Sequence, residues 1–215
     1  LLSFESSLFF FRIGIFACVI WYLIEKDKKT LRYFYYVLMI CFLILVIDGY
    51  FQYFTGFNFF GLPKNGVRIS SFFGDELIMG SYLSRLFPLL FALFILKKKK
   101  RFEKYFIGIL FILIDILIYL SGERTAFFYL NLSTIFIIIL IKEFQKFRLI
   151  TFIIASTLII ILTFNDVEIK ERMVSHTIEI TGFDEKKNEK FIFTPAHDSL
   201  IRTAYNMFKD QPIFG

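Results

Sequence analysis

The stretch YFIGILFILIDILIYLSGERTAFFYLNLSTIFIIILI, residues 105–141, decides the fold. Two apolar runs, 105–120 and 125–141, flank the polar residues Ser121-Gly122-Glu123-Arg124. A turn that short makes the helices around it antiparallel neighbours. A helix rises about 1.5 Å per residue and needs roughly 20 residues to cross bilayer hydrocarbon, a length each run approaches with aromatic residues near its ends.

The same pattern recurs outward from this hairpin. Residues 8–24, 34–47, 77–96 and 149–164 form four more apolar stretches divided by short charged loops. With 57% hydrophobic residues and 32 phenylalanines in 215 positions, the chain carries more apolar surface than one soluble core hides. The reading is all-α: a polytopic integral membrane protein with about six transmembrane helices over residues 1–164, then residues 165–215 as the start of a large outer-side loop. Trp21, Tyr22, Tyr33, Tyr35, Tyr36, Tyr50 and Tyr53 lie where an interfacial aromatic belt would be. Leu1 in place of Met, and an end at Gly215 straight after Ile213 and Phe214, read as a fragment of a larger protein.

Alternate loops are strongly basic. Lys26, Lys28, Lys29 and Arg32 fill the first, Lys97 to Arg101 with Lys104 the third, and Lys142, Lys146 and Arg148 the fifth. By the positive-inside rule these face the cytoplasm, which places the 49–76 loop, the 121–124 turn and everything after residue 164 outside. The net charge of +6 is thereby assigned to anionic lipid heads and insertion topology, with no nucleic acid partner. Cys18 and Cys41 sit in apolar segments without ligand-spaced neighbours, so no metal site or disulfide framework is expected. In the tail, Thr194 and Pro195 open a helix that stops before Pro212. Leu200, Ile201, Ala204, Met207 and Phe208 share its apolar face, as in a helix lying along a membrane surface.

Charges inside spans cost about 2.5–3.5 kcal/mol each even on lenient scales and call for a partner, a cavity or an escape route. Arg12 can snorkel outward, Asp48 is either solvated or functional, and Arg85 and Asp115 call for polar partners in the bundle. Glu123 and Arg124 form either a local ion pair or, for Arg124, a guanidinium fork at the outer mouth of the bundle suited to phosphate oxygens. Arg68 lies on the outer approach to the third span, and Arg202 has a ready partner in Asp198 one turn earlier. His197, Asp198 and Ser199 are consecutive, which forbids relay geometry and leaves His197 as a lone candidate base.

In order along the chain, Asp48-Gly49-Tyr50-Phe51-Gln52-Tyr53-Phe54-Thr55-Gly56, the segment 68–74, Ser121-Gly122-Glu123-Arg124-Thr125-Ala126 and the segment 204–215 resemble the signatures of the O-antigen ligase and polymerase family. The resemblance implies an all-helical glycosyltransferase of the bacterial inner membrane. Its donor would be a glycan on a polyprenyl diphosphate, and its acceptor a glycan or lipid core on the periplasmic side, with no cofactor and no metal. It implies catalytic roles for Arg124 and Arg202 on the diphosphate, with Arg68 as a supporting contact; Glu123 and His197, on their own placement in the sequence, are read beside them as candidate substrate-binding residues. Two departures stand out: Glu123 replaces a small or Ser-like residue, and the family's His-bearing outer loop would follow residue 215, since His197 does not match it. The alternative is a multi-spanning transporter or channel for an anionic substrate, with Arg85 and Asp115 on its pathway.

Overall fold

The computed structural model describes residues 2–96, 101–181, 195–210 and 212. The described chain is helical, without strands beyond two isolated bridges in one loop, Phe57 with Pro63 and Asn65 with Arg68. Six long helices come first: α1 (Leu2–Lys26), α2 (Lys29–Thr55), α3 (Met79–Leu96), α4 (Arg101–Leu120), α5 (Arg124–Leu140) and α6 (Gln145–Asn165). Then α7 (Val167–Lys170), a π turn (Glu171–Ser175) and α8 (His176–Thr181) run end to end, and α9 (Pro195–Asp210) stands beyond them.

Three helices, α2, α3 and α6, are long and apolar enough to cross a membrane, and α5 is a shorter apolar helix. Their outer faces are apolar, with Val37, Ile40, Ile44 and Ile47 exposed on α2 and Ile150, Ile153, Ile160 and Ile161 on α6. Such an exterior suits lipid rather than water. α1 packs against α2 alone among the more extensive contacts, and its described side chains are almost entirely exposed.

The core lies among α2 to α6. Leu83, Phe87, Leu90, Phe91 and Phe94 make a helical stripe along α3 and are all buried. Phe87 meets Phe111 of α4 edge to face, with centroids 5.0 Å apart, and Phe91 and Phe94 continue the cluster to Phe144. On α2, a Cβ at Gly49 would lie 2.9 Å from Leu117 of α4, so that contact depends on glycine.

One charge is not where its sequence setting puts it. Arg148, read as part of a basic loop, lies in the first turn of α6 and is fully buried. It grips Asp115 of α4 through two hydrogen bonds of 2.9 and 3.0 Å, and also bonds Thr134 of α5. Its guanidinium carbon stands 4.6 Å from the Phe87 ring centroid of α3, so the group ties four helices together. Asp115 therefore has a partner, and it is not Arg85. Arg85 is exposed on α3, six residues (about 9 Å) from Met79, with no ion pair among the described residues.

Candidate anion site at the loop end of the bundle

The C-terminal ends of α2, α4 and α6 meet the N-terminal ends of α3 and α5 at one end of the bundle, together with the loop 56–78. Two side chains one turn apart on α2 hold that loop, and both are fully buried. Asp48 accepts the Phe59 N–H at 2.8 Å and the Ser71 hydroxyl. Gln52 accepts the N–H groups of Ser70 and Ser71 at 3.1 and 2.7 Å and donates to the Leu62 carbonyl. Asn58 adds acceptor bonds from Phe60 and Leu62 and donates to the Ser71 carbonyl. Asp48 is thus a brace for the loop, and the loop is fixed by buried polar pairing more than by an apolar core of its own.

The 121–124 turn is locked to the start of α3. Glu123 Oε1 accepts the Gly80 N–H at 2.7 Å, and Oε2 accepts the Ser81 N–H at 3.0 Å and its hydroxyl at 2.6 Å. A carboxylate here satisfies the otherwise orphaned N–H groups of a helix N-terminus and meets its positive dipole end. Glu123, expected to contact substrate, has both oxygens bound to α3.

Three arginines converge on this turn. Arg172 Nε donates to the Gly122 carbonyl at 3.0 Å. A Cβ on Gly122 would lie 2.8 Å from Arg172 Nε and 3.3 Å from Arg68 Cγ, so both side chains run through the space the glycine leaves open. Arg68 Nη2 donates to the Leu77 carbonyl at 2.7 Å, while its Nε is buried without a partner. Arg124 follows as the first residue of α5, half-buried, with no side-chain partner among the described residues. Partial burial, and then the charges of Arg68 and Arg124, press the Arg172 pKa below its ordinary value, against an opposing pull from Glu123. Three guanidiniums share one neighbourhood, and the carboxylate beside them is already bound elsewhere. That arrangement stores repulsion which an anion relieves.

The placement of Arg172 has its own causes. Asp166 accepts the Ile169 N–H and the Tyr53 hydroxyl, pinning the start of α7 to α2. Ile169 and Met173 are buried beneath the helix. The π turn at Glu171–Ser175, a geometry that recurs at functional sites, carries Arg172 toward Gly122. No local feature of the sequence marks this residue, because its partner lies fifty positions earlier in the chain.

Arg68 and Arg124 are therefore brought together, and Arg172 joins them. Arg202 is elsewhere: it is 74% exposed, paired with Asp198 at 2.6 Å, on a helix that makes no extensive contact with the other described elements. His197 falls within α9, and its side chain lies outside the described residues.

Gly122→Ala should be more disruptive than its backbone alone explains. Gly122 has φ +69°, and an alanine there costs about 1–2 kcal/mol for left-handed backbone and also pushes on two arginines. Gly56, with φ +84° and nothing within 4 Å of its Cβ, is the control. Gly122→Ala is expected to lower thermal stability more than Gly56→Ala, and only Gly122→Ala should weaken binding of a probe anion, measured by titration with inorganic pyrophosphate.

Comparison with known proteins finds no matching family, no matching curated protein and no matching solved structure. Fold and site together define a class: an all-helical protein with three helices long and apolar enough to cross a membrane and a convergent arginine cluster at one end of its bundle.

Proposed function

We propose that the six long helices cross a bacterial inner membrane with the loop end outside, and that the arginine cluster holds the diphosphate of a polyprenyl-linked glycan during its transfer to an acceptor. The acceptor class is a glycan or a lipid core. Lys26, Lys28, Lys29 and Arg32, with Lys104, Lys142 and Lys146, sit toward the opposite end of the bundle, as the positive-inside rule requires of the cytoplasmic face. The observation that carries the reading is the meeting of Arg68, Arg124 and Arg172 around Gly122.

Transfer breaks the bond between the sugar's anomeric carbon and a phosphate oxygen, leaving that electron pair on the diphosphate, while the acceptor hydroxyl oxygen bonds the anomeric carbon and its proton passes to a base or to water. Cations placed where that charge grows lower the barrier. Bidentate guanidinium contacts also fix the phosphate orientation. A transport reading draws no comparable support: Asp115 is closed off by Arg148, and Arg85 is exposed on α3 with no ion pair among the described residues.

The test is glycan transfer in membranes containing the complete protein at matched expression. Arg124→Ala is expected to lower transfer by about 10²–10³-fold, the scale set by losing one donor to a developing anion. Arg12→Ala, whose guanidinium rests 4.0 Å from the Phe9 ring, should leave transfer near the wild-type rate. Arg202→Ala, already paired with Asp198, is expected to fall between them. Equal rates for Arg124→Ala and Arg12→Ala would remove the cluster from the chemistry.

A further inference from the structure

Beside the cluster, an open groove of about 350 Å³ is lined by Val67, Glu168, Glu171, Arg172, Ser175 and His176. It is within the size range of small-molecule clefts. One side of it is the helical segment after α6: residues 168, 171, 172, 175 and 176 recur at the i, i+3, i+4, i+7, i+8 spacing of one helix face, through a π turn in which the His176 N–H bonds the Glu171 carbonyl five residues back. Val67, next to Arg68, supplies the facing loop side.

Arg172 belongs to both the cluster and the groove. Glu168 and Glu171 are exposed and have no ion pair among the described residues, although three arginines lie nearby. An ionised carboxylate only accepts hydrogen bonds. A molecule filling both spaces therefore presents an anion at the Gly122 end and donor groups at the other. A second negative charge at the groove end meets two carboxylates.

We infer that this groove is the subsite for the sugar attached directly to the diphosphate, and that it selects a neutral, hydroxyl-rich ring over an acidic one. The inference rests on the diphosphate reading above and adds to it a substrate class and two specificity residues, Glu168 and Glu171.

Binding to the complete protein in nanodiscs tests this with three probes: a bare polyprenyl diphosphate, the same lipid carrying N-acetylglucosamine, and the same lipid carrying a uronic acid. The wild type should bind the neutral-sugar lipid at least about tenfold more tightly than the bare lipid, the size of one charge-assisted hydrogen bond at the weak end of its range. It should bind the uronic acid lipid more weakly than the neutral-sugar lipid. In the Glu168→Gln/Glu171→Gln variant the discrimination against the uronic acid should largely vanish, the neutral-sugar advantage should shrink, and bare-lipid affinity should stay within about twofold. If that variant keeps the wild-type preference among the three lipids, the sugar subsite is refuted and the diphosphate reading stands. If the wild type fails to bind even the bare lipid, the diphosphate reading falls and the subsite with it.

Discussion

Asp115→Leu is expected to destabilise the protein by about 3–5 kcal/mol, the cost of removing one partner from a buried ion pair. Arg148 is fully buried, it donates twice to Asp115, and its Nε already lacks a partner. Without the carboxylate, the guanidinium keeps a hydroxyl from Thr134 and the faces of aromatic rings, which do not replace a counter-charge. Arg148→Met leaves the complementary charge on Asp115 and should lose a similar amount. The Asp115→Leu/Arg148→Met variant buries no charge and should regain most of the loss, since apolar replacements of buried pairs are often close to neutral. Thermal unfolding in detergent reads all three. Single losses that simply add in the double variant would show the two residues to be uncoupled.

The second large effect is expected at Arg172, in transfer rather than in stability. Arg172→Ala removes one of three converging guanidiniums and should lower transfer by about 10²-fold or more. Arg172→Lys should recover little of that. The native side chain hands Nε to the Gly122 carbonyl and leaves the rest of its fork for phosphate, and an ammonium has neither the planar fork nor the split of roles. Because the residue is only partly buried and repelled by Arg68 and Arg124, Arg172→Ala should retain or slightly exceed wild-type stability, and Arg172→Lys, which keeps the charge, should stay near it. Paired loss of rate and melting temperature would instead assign Arg172 a structural role.

The helices were legible where the apolar pattern was unbroken. The third apolar stretch, expected over 77–96, is α3 at Met79–Leu96, and the hairpin read from residues 105–141 folds as α4 and α5 around the expected turn. The second apolar stretch stops at Ile47 in sequence, yet α2 runs on to Thr55, because Asp48 and Gln52 have their polar groups satisfied by the loop that folds back on them. The start of α6 was obscured for the opposite reason. Lys142, Lys146 and Arg148 look alike in sequence, and only packing reveals that Arg148 turns inward to Asp115.

Within the candidate site, Arg124 was legible from its place in a tight turn, and Arg68 from its place before the third helix. The role of Glu123 was not, since its partners are the N–H groups of a different helix some forty residues earlier. Arg172 stayed hidden for the same reason. Turn geometry is local and can be read from spacing, whereas a cap from another helix and a convergence of like charges are products of packing.

The most direct test of the central claim is the affinity of a polyprenyl diphosphate for the complete protein and for its Arg124→Gln/Arg172→Gln variant, with the polyprenyl monophosphate as comparison. The wild type should prefer the diphosphate, and the variant should bind it at least about a hundredfold more weakly, the loss expected for two charge-assisted contacts. Equal affinity of wild type and variant for the diphosphate would contradict the account, whatever the fate of the sugar subsite.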